Sequence, residues 1–169
     1  KENGLRALIL KSKHKIQGLD NDYDYGEWYE LTKPSEEELE RQRNTHFDYE
    51  PRLSIVIPVY KTPERYLQEM LDSIVSQTYS KWEVCIADGS PRGESRERLI
   101  KRYAVRDTRF KYVILGENKG ISGNTNAAMD MAQGDFLVLA DHDDTLTPDA
   151  LFECVKAMNE DPLYDVIYS

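Results

Sequence analysis

The sequence predicts an α/β domain with a mainly parallel, Rossmann-like sheet and helices on both of its faces. Three observations carry that expectation. From residue 53 onward, short β-branched runs alternate about four times with helix-patterned stretches, the order that strand–helix–strand units produce. The runs are apolar almost throughout, as strands covered on both faces are. The chain has 169 residues, 40% apolar and 31% charged, which suits one globular domain with a buried core.

Residues 1–34 form a poorly patterned lead-in with a polar and aromatic stretch from Asp20 to Tyr29. Pro34-Ser35 then opens a short helix over about 35–46. Ser35 is its N-cap, and Glu36, Glu37 and Glu38 suit the positive end of the helix dipole. Residues 1–50 therefore read as an N-terminal extension with a short helix, and 51–169 as the main domain. Leu53 to Val59 (LSIVIPV) is a buried strand. Pro63 to Gln77 is an amphipathic helix with Leu67, Met70, Leu71, Ile74 and Val75 on one face. Trp82 to Ala87 is the second strand, Glu94 to Ala104 a helix and Phe110 to Leu115 the third strand. Gly120 to Ala132 is a helix of small residues, and Asp135 to Ala140 (DFLVLA) the fourth strand. Thr147-Pro148, with Thr147 as N-cap, leads into a helix over Leu151 to Met158. Tyr164 to Ser169 (YDVIYS) has the composition of a further strand.

The net charge of −9 argues against generic nucleic-acid binding, which calls for Lys and Arg. Its distribution says more. Residues 1–50 carry a balance of −4, residues 51–133 of +3 and residues 134–169 of −8. The acidity collects around Asp141-His142-Asp143-Asp144. No run approaches the roughly 20 apolar residues of a bilayer span. No secretory leader is expected either, and the initial Lys predicts that the chain continues a longer one. Cys85 and Cys154 lie in apolar patterns, as buried thiols do, and the three histidines make no zinc signature.

Ligands of parallel sheets bind beyond the carboxyl ends of the strands. That rule collects Pro58 to Tyr60, Asp88 to Ser90, the loop 116–124 and Asp141 to Asp144 around one crevice. Residues two apart in extended backbone point to one side, so Asp141 and Asp143 would face a shared ligand. Such carboxylates repel unless a cation sits among them, and a hard divalent ion resolves that repulsion. Asp144 either orders the turn or joins them. Asp88 ends its strand before Gly89-Ser90-Pro91, where it can meet a ligand N–H or hydroxyl, or order an Asx-turn. In Asn118 to Asn126 (NKGISGNTN), two glycines at a helix entrance allow close backbone approach and free N–H groups for an anion, or simply tight packing. Neither the dinucleotide fingerprint nor the P-loop is present.

With those residues in view, IVIPVYKTPERYLQEMLDSIVSQTYSKWEVCIADGS and ENKGISGNTNAAMDMAQGDFLVLADHDDTLTPDAL resemble family-2 glycosyltransferases of the GT-A fold, in their N-terminal, nucleotide-sugar-binding part. The flavour is that of bacterial rhamnosyltransferase-like members, and the resemblance covers about residues 53–169. It implies a GT-A domain truncated at its C-terminal end. It implies that Pro58, Val59 and Tyr60 line base and ribose, that Asp88 contacts a uracil or thymine ring, and that Asn118, Gly120, Gly123 and Asn124 border the nucleoside. Asp141 would hold ribose or metal, and Asp143 would be the principal ligand of Mg²⁺ or Mn²⁺. Asn126 would pack the loop. Thr125 stands where many members carry Arg, so a charge contact to donor phosphate is not implied there.

The implied reaction moves a sugar from a UDP- or dTDP-type donor to the hydroxyl of a glycan or lipid-linked glycan acceptor, with inversion, in cell-surface polysaccharide synthesis. The general base is expected beyond Ser169, so this chain is expected to bind donor and to transfer little by itself. The implied location is cytoplasmic, or the cytoplasmic face of the membrane in a longer protein. Two other readings compete. A nucleotidyltransferase would want a glycine-rich basic loop after the first strand, where Tyr60-Lys61-Thr62-Pro63 stands. A non-catalytic nucleotide-binding or scaffolding module would keep the fold without the activity, and the acidic motif argues against it.

Overall fold

A computed structural model describes residues 25–161 and 163–168. The reading of residues 1–24 lies outside the described residues. The chain divides into two compact units, residues 1–39 and 40–169. Helix α1 (Tyr25–Thr32) occupies part of the stretch read as an unpatterned lead-in. Its sequence YGEWYELT combines a glycine with aromatic residues and has no wide apolar stripe, so periodicity does not reveal it. Helix α2 (Glu36–Arg43) begins where the capping signals place it. The Glu38 N–H donates to Ser35 Oγ at 3.2 Å, the N-cap bond expected of that serine.

The second unit is built on four parallel strands: β1 (Leu53–Val59), β2 (Trp82–Asp88), β3 (Phe110–Ile114) and β4 (Phe136–Leu139). They lie in the order β3-β2-β1-β4. The connecting helices are α3 (Glu64–Val75), α4 (Ser95–Arg106) and α5 (Gly120–Met129), and α6 (Ala150–Glu160) follows β4. Alternation sorts the side chains of β1. Leu53, Ile55, Ile57 and Val59 join the main core with Leu67, Met70, Leu71 and Ile74 of α3, Leu99 and Ile100 of α4, and Leu151, Phe152 and Val155 of α6. Val56 points the other way and packs with Cys85, Ala87 and Ala128 of α5. Helices thus cover both faces, as the patterning requires.

At the amino ends of the strands a buried charge fastens the sheet. Glu83, 0% exposed in the middle of three strands, pairs in register with Ser54. Its Oε1 accepts Ser54 Oγ–H at 2.8 Å and the Gln133 N–H at 2.6 Å. Its Oε2 lies 2.6 Å from Arg52 Nη2 and 2.9 Å from Lys111 Nζ. One carboxylate therefore joins β1, β2, β3 and the turn into β4. A buried carboxylate survives only with such complete partnering.

Two expectations are corrected. The last helix starts at Ala150 with Asp149, not Thr147, in the cap position. The Thr147 carbonyl instead accepts the Ala150 N–H at 3.1 Å in a preceding turn, and the Pro148 carbonyl accepts the Thr78 N–H at 2.8 Å. Residues 163–168 form no strand, and Val166 and Tyr168 are exposed. Strand composition stabilises a strand only where a ladder is available, and this segment does not align with the four-residue outer edge of β4. No helix among the described residues is long and apolar enough to cross a membrane.

Candidate functional site at the carboxyl ends of the strands

From β1 the chain proceeds to β2 and β3 on one side, and β4 returns on the other. The β1/β4 boundary is thus the switch point of the sheet, where helices no longer close the crevice above the strands. A cleft of about 610 Å³ opens there. Val56 and Pro58 of β1 and Leu139, Ala140 and Asp141 at the end of β4 supply part of its lining. Ile121 and Thr125 of α5 and the segment Asp144 to Leu146 complete its rim.

Of the residues the sequence singled out, Pro58, Thr125, Asp141 and Asp144 line this cleft. Alternation along β4 places Leu137, Leu139 and Asp141 on one side. The chain then turns at His142-Asp143 instead of staying extended. The premise that Asp141 and Asp143 share a side through extended backbone therefore fails. Asp144, rather than Asp143, stands beside Asp141 in the lining. Asp143 is 56% exposed, and its Oδ1 is 3.3 Å from His142 Nδ1, a buried nitrogen with no hydrogen bond of its own. The chain just past the acidic loop is held by Gln77, two residues beyond α3, and by α3 itself: the Gln77 amide donates to Thr147 O at 2.7 Å and accepts the Leu151 N–H at 3.0 Å. Ser73 Oγ accepts the Leu146 N–H at 3.1 Å.

The loops after β1 and β2 are sewn together. The Gly89 N–H donates to Val59 O at 2.9 Å and the Lys61 N–H to Ser90 Oγ at 2.8 Å. Lys61 is held at φ 52°, a left-handed conformation that non-glycine residues seldom adopt. Its neighbour Tyr60 is partly exposed, while the Val59 side chain belongs to the core. Asp88 is 2% exposed, and its Oδ1 accepts the Ser90 N–H at 2.8 Å in the Asx-turn geometry. Its Oδ2 has no protein partner among the described residues.

The glycine-bearing loop is anchored by asparagines. Asn124, 2% exposed, donates from Nδ2 to Asn118 Oδ1 at 3.0 Å and accepts the Lys119 N–H on Oδ1 at 3.1 Å. Asn118 Oδ1 also accepts the Gly120 N–H at 3.0 Å. Gly120 takes φ 75°, a turn that admits few other residues. Asn118 and Gly120 are exposed, Gly123 is half-buried and Asn126 exposed. Sequence reasoning missed Met70, Leu139 and Leu146 as cleft residues, while Ile121 lies in the loop 116–124 that it assigns to the crevice. The alternation of β4 carries a signal for Leu139, which shares a side with Asp141.

Three carboxylates in four residues form a hard oxygen donor set, and among the described residues no Lys or Arg pairs with any of them. That chemistry fits a divalent cation such as Mg²⁺ or Mn²⁺. No group of three or more His, Cys, Asp and Glu converges as a metal centre among the described residues. A cation here would rest on one or two carboxylates and take its other ligands from water or a bound anion.

A family model described as glycosyl transferase family 2 matches residues 54–169. The uncharacterized protein y4gI of Sinorhizobium fredii is 36% identical over 119 residues, 70% of this chain and 13% of that protein. The hyaluronan synthase of Pasteurella multocida is 32% identical over 126 residues, 75% of this chain and 13% of the synthase. Among solved structures, S. aureus TarS superposes with a TM-score of 0.58 at 26% identity, covering 64% of this chain and 20% of TarS. The chain thus spans only a small part of the length of these relatives.

Proposed function

The chain belongs to glycosyl transferase family 2, and from that premise we propose that its cleft binds the nucleotide-sugar donor of a sugar transfer in polysaccharide synthesis. The observation that carries the reading is the position of Pro58, Asp141 and Asp144 around one opening at the β1/β4 switch point. The likeness to a hyaluronan synthase supports a polysaccharide product.

In this reading Asp143 and Asp141 hold Mg²⁺ or Mn²⁺, with Asp144 beside them. When bound, such a cation supplies a Lewis acid that offsets charge on the departing nucleoside diphosphate. The chain's own groups do the rest. The free Oδ2 of Asp88 accepts an N–H of a uracil or thymine ring, Pro58 and Tyr60 flank base and ribose, and Asn118, Gly120, Gly123 and Asn124 border the nucleoside. Val59 acts from the core, by fixing the strand end from which Pro58 and Tyr60 project. The acceptor is the hydroxyl of a glycan or lipid-linked glycan, and transfer proceeds with inversion at the anomeric carbon. Residues 51–169 carry this role and residues 1–50 stand outside it. The protein works in the cytoplasm of a bacterium, in the synthesis of its cell surface.

Calorimetry with UDP and dTDP, each with and without Mn²⁺, tests the proposal. Binding that strengthens with Mn²⁺ and loses that dependence in Asp143→Ala is the expected result. Equal affinity with and without metal in the parent chain would overturn the metal assignment, and no binding of either nucleotide would overturn the donor reading.

A further inference from the structure

Helix α4 has a face that the proposed donor site does not use. Its inward side carries Leu99 and Ile100, both in the main core, with Tyr103 and Ala104 packed against it. At 100° per residue, Arg98, Lys101, Arg102, Val105 and Arg106 fall within one outward arc. All five are exposed, and Val105 is 86% so. The neutralisation of this face is sparse. Lys101 pairs with Glu97 at 2.6 Å. The carboxylate nearest Arg102 is Glu64, at 3.9 Å. Among the described residues Arg98 donates only to the Gly93 carbonyl, at 3.4 Å. Arg106 has no carboxylate partner among the described residues. Arg96, by contrast, is turned inward and engaged with Glu94 and the Thr62 carbonyl.

A chain of net charge −9 thus carries four exposed cations on one helix face, two of them (Arg98 and Arg106) without a carboxylate partner among the described residues, around the most exposed aliphatic side chain of that helix. An exposed valine is ordinary by itself, but at the centre of four cations it makes this basic face amphipathic. Charge complementarity calls for an anionic partner, and the valine for one with an apolar layer beneath the charge. A nucleic acid offers only the first. We propose that the outward face of α4 docks this protein on an anionic lipid bilayer, with Arg98, Arg102 and Arg106 at the headgroups and Val105 directed into the interface. The proposal goes beyond the donor-site reading and stands without it, because docking needs neither nucleotide nor divalent metal.

Flotation with vesicles of phosphatidylcholine and phosphatidylglycerol, against vesicles of phosphatidylcholine alone, tests it in the absence of nucleotide and divalent metal. Binding is expected only to the anionic vesicles and is expected to fall as salt screens the charges. Each arginine removed should weaken partition about fivefold, so R98A/R102A/R106A should lose roughly a hundredfold. Val105→Glu should weaken it further than Val105→Ala, and circular dichroism of each variant checks that the fold is kept. Equal recovery with neutral and anionic vesicles, undiminished binding by the triple variant, or binding to duplex DNA without binding to vesicles would each overturn the proposal. Nucleotide calorimetry on the triple variant, expected unchanged, keeps this outcome separate from the fate of the donor-site reading.

Discussion

Asn124 and Asn118, six residues apart, hold the entrance of α5 shut through a 3.0 Å bond from Asn124 Nδ2 to Asn118 Oδ1. The backbone of the β2 loop leans on the same amide. A Cβ added at Gly89 would stand 2.8 Å from Asn124 Nδ2 and 3.2 Å from the Asn118 Cα. Gly89→Ala should therefore cost about 1–3 kcal/mol, the scale of overpacking. Asn124→Ala leaves the Lys119 N–H without its acceptor and should cost about 1–3 kcal/mol. Because Asn124→Ala also empties the space a Cβ at position 89 needs, the double variant should be less destabilised than the two single losses together. Urea unfolding of the four proteins measures that coupling, and strict additivity would mean the two loops do not meet.

Glu83 sets an acid limit on stability. Burial works to raise its pKa, but the Lys111 ammonium, the Gln133 N–H, the Ser54 hydroxyl and Arg52 together hold it below the ordinary carboxylate range. Folding then favours the ionised form, so this stabilisation is complete above the unfolded glutamate pKa of about 4.3 and fades as pH falls through the lower folded value. Glu83→Gln should cost about 3 kcal/mol at neutral pH, near the lower end for a broken buried pair because both cations reach solvent. Its stability should also fall less steeply on acidification than that of the parent. Thermal melts from neutral to acid pH compare the two slopes.

Gln77 holds the segment that follows the acidic loop. Gln77→Ala removes the donor to Thr147 O and the acceptor of the Leu151 N–H, and should cost about 1–3 kcal/mol. If the loop carries metal ligands, the same variant should weaken Mn²⁺-dependent nucleotide binding more than metal-free binding. Calorimetry at a temperature where the variant remains folded separates the two effects.

Asp88 has one carboxylate oxygen spent on Ser90 and one unspent. Asp88→Ala should weaken uridine and UDP alike by about 1–3 kcal/mol, with the Mn²⁺ response preserved. Asp144→Ala should leave nucleoside affinity near that of the parent and keep the Mn²⁺ dependence that Asp143→Ala loses. Loss of the dependence in Asp144→Ala alone would transfer the ligand role to the residue that lines the cleft.

The sheet was legible because apolar runs bounded by Gly, Pro and Asp leave a doubly covered strand few alternatives: Leu53–Val59 occurs where the pattern puts it. Helix α3 was legible through the spacing of Leu67, Met70, Leu71 and Ile74, all buried. Other features rest on interactions that spacing does not encode. Helix α1 lacks a stripe, and Tyr164 to Tyr168 has strand composition without a ladder. The acidic motif could be placed at the end of β4 but not oriented, because the chain turns at His142-Asp143 and the segment just after it, Leu146-Thr147, is tied to Ser73 and Gln77, some 70 residues earlier in the chain.

Strand β4 is only four residues long, and one of its edges carries no neighbour in the sheet among the described residues. Leu139, 67% exposed, belongs at once to that rim and to the cleft. Backbone laid along Phe136–Leu139 would shade this leucine and narrow the mouth through which Asp141 is reached. A strand paired along Phe136–Leu139 would thereby set the aperture of the pocket from outside the four strands.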